Sequence, residues 1–255
     1  MSLLLLKLTV TPVLIGAATV AGRRWGAALS GWLVGLPLTS APVTFFLALN
    51  HGSSFAAATA VGILAGTVSQ AAFAVVYGRL ASHAAWPLAL TAGCLVFGGA
   101  TASLHAAQPG LPASLVAALI SLVAGTLLLP HEPGAVPAGG APPAWDLPLR
   151  MVVATAIVVL LTSIAPALGP RLTGLLTPFP VYATVLAVFA HGAGGQAAVG
   201  VLRGLLLGLF GFVACFVLLA LLLPSLGLLA FAPALGAALA VQGATLRMIN
   251  RGDRP

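Results

Sequence analysis

The sequence predicts an all-α integral membrane protein, and three observations carry that prediction. Of the 255 residues, 60% are hydrophobic and only 5% are charged. A soluble domain carries about 25% charged residues, so no water-facing surface can be built from this supply. The mean hydropathy of +1.15 points the same way. Finally, the chain holds nine stretches that are apolar over the roughly 20 residues a membrane-crossing helix needs, without the two-residue alternation of a β-barrel strand. The same composition excludes a disordered chain, a collagen and a disulfide scaffold. A net charge of +7 is spread over short loops with no long basic run, so nucleic acid is not an expected partner.

The nine apolar runs lie near 3–21, 26–50, 53–79, 85–107, 111–130, 149–167, 172–191, 197–223 and 225–247. The first is interrupted by Lys7 and followed by Arg23 and Arg24, the reverse of a cleavable leader's charge order, so it is expected to stay as a span. Nine spans put the termini on opposite sides. Arg23, Arg24, Arg79, Arg150, Arg203, Arg247, Arg251 and Arg254 then share one side, and only Lys7 and Arg171 face the other. Basic residues concentrate in cytoplasmic loops. The expected topology therefore has the N-terminus outside and the C-terminus in the cytoplasm. The four tryptophans, among them Trp25, Trp86 and Trp145, fall near span ends, as an aromatic belt requires.

The stretch 131–147 is rich in Pro, Gly and Ala and holds Glu132 and Asp146. It reads as a flexible cytoplasmic linker, and it divides the chain into comparable parts: a first membrane unit over 1–107, a linking helix over 108–130, the linker, and a second unit over 148–255. The two units repeat one pattern. Gly35-Leu36-Pro37-Leu38-Thr39-Ser40-Ala41-Pro42 precedes an apolar run ending Asn50-His51-Gly52, and Gly174-Leu175-Leu176-Thr177-Pro178-Phe179-Pro180 precedes one ending Ala190-His191-Gly192. Each follows a span that opens near a basic residue, Lys7 or Arg150. Each leads into a span with small residues every four positions, Ala58, Gly62 and Gly66 or Gly200, Gly204 and Gly208. The single linking helix turns the second unit upside down. The expected architecture is thus an inverted repeat of two four-helix units, a common construction of secondary transporters.

The run Gly174-Leu175-Leu176-Thr177-Pro178-Phe179-Pro180 with Ala190-His191 resembles the small GlpM-type bacterial inner-membrane proteins. The likeness covers about 150–230 and, more faintly, 5–70, where Ser40-Ala41-Pro42 replaces Phe-Pro. The resemblance implies an inner-membrane location and a four-helix unit able to work as a pair. It implies no catalytic residues.

Proline has no N–H and disfavours helix in the residue before it. The second span of each unit is therefore expected to break near mid-membrane. Thr39 and Ser40 would cap a new half-helix with Pro42 in its first turn, and Thr177 would cap another with Pro178 at its first position and Pro180 next. An unwound joint survives in hydrocarbon only inside protein or beside water. The start of each second half-helix offers N–H groups and a partial positive charge, to which Thr39, Ser40, Thr44, Thr177, Tyr182 and Thr184 add hydroxyls. Pro37, Pro42, Pro178 and Pro180 with those hydroxyl residues form the expected solute site. His51, His191, Lys7 and Arg150 are candidates for gating or charge roles. Prolines that merely kink a helix, with Ser and Thr repairing the break, are the plainer reading of the same residues.

Gln70 and Gln242 are expected to make interhelical hydrogen bonds, and the small-residue spacings to permit close helix packing. Cys94 and Cys215 have no metal-ligand spacing around them. The three acids all lie in the linker or the tail, so a proton relay through intramembrane carboxylates is not expected. No catalytic constellation, metal cluster or phosphate loop is present, and neither an enzyme nor a cofactor is expected. The leading expectation is a transporter or facilitator for a small polar or anionic solute, working in a lipid bilayer with a homo-oligomer left open. The alternative is a non-transporting structural or accessory membrane protein that acts through helix–helix contacts.

Overall fold

In the computed structural model, the described residues are 35–130, 146–192 and 194–252, with 8, 9, 12 and 13. Most of the expected first span, all of 26–34, Lys7, Trp25 and the linker core lie outside them. Among the described residues the chain is all-helical, without a strand. The helices are α1 (Ser40–His51), α2 (Ser53–Ala81), α3 (Trp86–Ala107), α4 (Leu111–Leu128), α5 (Asp146–Leu176), α6 (Val181–Gly192), α7 (Gly195–Leu226) and α8 (Phe231–Gly252), with a 3-10 turn over Gly227–Ala230 between the last two. Five helical stretches are long and apolar enough to cross a membrane.

The longest stretch, Gly195–Leu246, is long enough for two crossings and is divided by a turn. At 1.5 Å per residue, 52 residues would extend about 78 Å, far beyond a hydrocarbon core of about 30 Å. Gly227, at φ 55°, supplies the left-handed backbone at which α7 ends and the chain turns into α8. Gly169 does the same inside α5. Its φ of 74° and ψ of 166° separate 146–168 from a short helical stretch over 170–176.

Close approaches fix the helix directions. Arg79 Nε donates to Leu128 O (3.1 Å) and an Arg203 Nη donates to Thr126 O (3.4 Å), so both arginines meet the C-terminal carbonyls of α4. There they complement the negative end of its dipole. Gly195, at the start of α7, packs on Ala81 and Ser82 at this same end. At the other end, Arg171 Nη1 donates to Gln108 O (2.8 Å) and Pro109 O (3.2 Å) at the α3–α4 turn, and Gly227 lies beside Ser53. Hence α2 and α7 run antiparallel. Gly62 meets Arg171 and Gly174, while Gly66, one turn on, meets Leu175 and Pro178. The segment 170–178 therefore runs parallel to α2. Gly35 meets Gly208, and the Phe45 ring meets Phe231 edge-on at 5.5 Å, so α1 runs with α7.

The core follows from this arrangement. Most of α2 is buried, whereas α3 and α4 turn most of their surface outward. That outer surface carries Leu88, Leu95, Val116, Ile120 and Leu127, side chains that suit lipid rather than water. The inner layer holds Ile63, Phe73 and Tyr77 of α2 against Leu202, Leu209 and Phe216 of α7. Trp86 is exposed at the first residue of α3.

Candidate functional site

Both proline turns lie outside helix and lead into one, and they close around Pro37 and Pro180 with matching hydrogen bonds. Proline cannot donate, so each chain makes a tight turn centred on one. Leu38 N–H donates to Leu36 O (2.7 Å) around Pro37, and Val181 N–H donates to Phe179 O (2.8 Å) around Pro180. Each proline carbonyl then accepts from the residue four later: Ala41 N–H to Pro37 O at 2.9 Å and Thr184 N–H to Pro180 O at 2.8 Å. A helix of 12 residues follows in each case, α1 and α6. Each leads to a glycine with positive φ, Gly52 (85°) or Gly194 (130°), and then to a long helix. Pro180 thus takes the place of Pro37, and Pro178 that of Gly35.

The cross-contacts are reciprocal. Gly35 packs on Gly208 of α7, and Pro178 packs on Gly66 of α2 at 2.7 Å from where a Cβ would stand. A Cβ at Gly35 would fall inside the Gly208 backbone, and one at Gly174 would fall on the Thr59 carbonyl. Glycine is required here because backbone meets backbone with no room for a methyl group.

Two details of the expected capping are corrected. Thr177 does not cap α6; it closes α5, with its N–H and its Oγ1 both donating to Thr173 O (3.1 and 2.6 Å). A threonine hydroxyl reaches the carbonyl four residues back as readily as a free N–H ahead. The helical stretch before it was available, and helix α6 starts only after Pro180. Pro178 therefore sits in the turn rather than at a first helical position. Thr39 does stand at the N-cap of α1, but its side chain makes no capping bond.

The two proline turns meet. A cavity of about 30 Å³ is lined by Leu36, Thr39 and Ser40 from the first and by Pro178, Phe179, Pro180, Val181 and Ala183 from the second. Gln70 of α2 and Leu205, Leu209 and Phe212 of α7 complete the wall. By this measure the space admits about two waters. Both helix starts adjoin the cavity, and most of their first-turn N–H groups are satisfied by carbonyls just outside the helix: Ala41 by Pro37 O, Val43 by Thr39 O, Val181 by Phe179 O and Thr184 by Pro180 O. Gln70 is 6% exposed, and its Oε1 is buried without a hydrogen-bond partner. This revises the expectation for Gln70. Gln242 does bond across helices, Nε2 to Gly208 O at 3.3 Å, but the Gln70 oxygen does not.

The remaining candidates separate. Pro37 and Pro42 are buried but do not line the cavity. Thr44 is buried with its Oγ1 donating to Ser40 O (2.9 Å). Thr184 Oγ1, one turn beyond Pro180, is buried without a partner. His51 is exposed and stacks on Phe55 at 5.0 Å. His191 is half-buried between Tyr77 Oη (3.4 Å from Nδ1) and Ala84 O (3.1 Å from Nε2). The carbonyl can only accept, so Nε2 carries a proton. In neutral His191, Nδ1 then accepts from the tyrosine hydroxyl. Lys7 and the side chains of Tyr182 and Arg150 lie outside the described residues. Gln70 and Phe212 were missed as wall residues. The signal available for Gln70 was its place one helical turn beyond Gly66.

Comparison of the chain with protein-family models, curated proteins and solved structures finds no match. What the fold defines is an all-helical protein with five helical stretches long and apolar enough to span a membrane.

Proposed function

We propose that this chain is a bacterial inner-membrane transporter or facilitator for a small polar or anionic solute, which binds between the two broken helices. One observation carries the reading: two proline turns distant in sequence line one cavity, together with a buried carboxamide oxygen that has no partner. A kink that serves only to bend a helix needs neither a shared cavity nor an orphan acceptor. Backbone left irregular at membrane depth is tolerated where it lines such a cavity.

The nine-span inverted repeat of the two units belongs to this proposal. It is supported by α2 and α7 running antiparallel, by α1 following α7 while 170–178 follows α2, and by the reciprocal Gly35–Gly208 and Pro178–Gly66 contacts. Arg79 and Arg203 gather at one end and Arg171 at the other. This matches a cytoplasmic face at the Arg79 end and an N-terminus outside. The GlpM-type likeness fits the same picture of a paired four-helix unit. Rocking of one unit against the other would alternate access to the cavity.

The accessory reading draws on a different observation: the Thr44 and Thr177 hydroxyls are bonded within their own helices, as in a repaired kink. Cysteine accessibility separates the two. With Cys94 and Cys215 replaced, single cysteines at Ser40 and Val181 should react with an impermeant thiol reagent, and a bound solute should change the side from which they react. Complete inertness of both positions in folded protein from either side would remove the transport reading.

A further inference from the structure

A second cavity, apart from the proline turns, has a cationic rim. It is lined from α2, α3 and the 170–178 stretch and measures about 10 Å³. Three helix ends coincide beside it: α3 stops at Ala107, α4 starts at Leu111, and the first stretch of α5 stops at Gly169. Helix α3 has 22 residues and extends about 33 Å, close to a hydrocarbon core of about 30 Å. Its end therefore stands at headgroup level. Val61, Leu104 and Leu175 give the cavity an apolar floor, and Arg171, His105 and Gln108 form its rim. His105 and Gln108 are exposed.

Arg171 is oriented here but not neutralised. Its Nη1 donates to Gln108 O (2.8 Å) and Pro109 O (3.2 Å), which leaves the Nε and Nη2 hydrogens to other acceptors. Among the described residues no carboxylate pairs with it. The acids of the chain are Glu132, Asp146 and Asp253, and Asp146 opens α5 at the opposite end of that helix from Gly169. His105, one turn before Gln108, adds a ring N–H.

We infer that this pocket binds an anionic phospholipid. A headgroup phosphate oxygen is held by Arg171 and His105, and the acyl chains run along the outward face of α3, where Leu95 is exposed. Basic pockets between membrane helices recognise anionic headgroups in this way. The cavity admits one oxygen-sized group, so the rest of the headgroup lies on the rim. An apolar floor under a cationic rim suits an amphiphile better than a free ion. A zwitterionic headgroup would bring its own ammonium against Arg171. The inference rests on the membrane character of the helices and not on the solute reading, so the two fail separately.

Native mass spectrometry of the full chain in detergent, with dioleoyl phosphatidylglycerol and dioleoyl phosphatidylethanolamine in competition, tests it. Phosphatidylglycerol should bind about fivefold more tightly. Arg171→Gln and His105→Glu should each bring the ratio close to one. The second variant alters an exposed side chain, so it tests the charge even if the first disturbs packing. Arg79→Gln and Arg203→Gln, at the other end of the molecule, should keep the preference. Equal binding of the two lipids to the unaltered chain, or a preference that survives His105→Glu and Arg171→Gln, overturns the site. Equal loss in Arg79→Gln or Arg203→Gln also overturns it. Displacement of the lipid by millimolar inorganic phosphate would replace the lipid site with a free-anion site.

Discussion

The two halves share a backbone path and differ in the side chains it carries. In each, a proline turn leads to a helix of 12 residues, a glycine with positive φ and a long central helix. Yet one turn beyond Gly66 stands Gln70, and one turn beyond its counterpart Gly208 stands Phe212, on facing parts of the same cavity wall. His51 lies exposed at the end of α1, whereas His191 at the end of α6 is bonded across to α2 and the turn after it. The glycines and prolines are repeated because backbone geometry demands them. The polar side chains are free to differ because they do not set the backbone path.

The sharpest way to break the shared framework is at its reciprocal contacts. Gly35→Val and Gly66→Val should each cost about 3 kcal/mol or more, since the Gly208 backbone at one and the Leu175 carbonyl and Pro178 ring at the other cannot move aside as a flexible side chain could. Both variants should lose monodisperse protein in detergent and unfold at lower temperature. Gly98→Ala and Gly236→Ala, which face open space, should match the unaltered chain. Comparable damage at Gly35 and Gly66 is the signature of two equivalent contacts. Damage at one alone would show that the halves are not structurally interchangeable.

Making the halves alike tests the asymmetry of the cavity. Gln70→Phe copies the Phe212 side, and Gln70→Leu removes only the polar atoms. A buried acceptor without a partner costs about 1–3 kcal/mol. Gln70→Leu should therefore raise the unfolding temperature of the solute-free protein while reducing flux. A drop in stability would mean that the oxygen is satisfied by ordered water, because then the substitution would delete bonds instead of an orphan.

The two histidines form the next contrast. Interhelical hydrogen bonds in membranes average about 0.6 kcal/mol. His191→Ala loses two and should destabilise by about 1 kcal/mol, while His51→Ala should stay within about 0.5 kcal/mol. In a double-mutant cycle with Tyr77→Phe, His191→Ala should show a coupling of about 0.6 kcal/mol. Zero coupling would reduce the His191–Tyr77 pairing to proximity.

Legibility in the sequence tracked how local each determinant is. The helical class, the apolar helices among the described residues and the break between α5 and α6 could be read because hydropathy is carried residue by residue and the missing proline N–H acts on the adjacent turn. The close glycine packing was visible as a four-residue spacing. Thr177 was misread because its hydroxyl had two local choices, and the sequence does not say which carbonyl is near. Gln70 was misassigned, and Phe212 overlooked, because the cavity is made by segments from α1, α2, α6 and α7 together. The Tyr77–His191 bond joins residues 114 apart, beyond any periodic pattern.

The smallest expected effect separates two hydroxyl groups that look alike in the sequence. Thr177 Oγ1 is committed to Thr173 O at 2.6 Å, and that carbonyl also accepts the Thr177 N–H. Removing the hydroxyl therefore leaves no unsatisfied acceptor. Thr177→Val keeps the side-chain shape and should change stability by about 0.5 kcal/mol or less, with flux unchanged. Ser40 lines the cavity beside the start of α1, so Ser40→Ala should reduce flux severalfold at equal protein level. Flux measured in proteoliposomes, normalised to folded protein, reads both. If Thr177→Val impaired transport as much as Ser40→Ala, the hydroxyl would have to leave Thr173 during the cycle, and the end of α5 would be a moving part of the site.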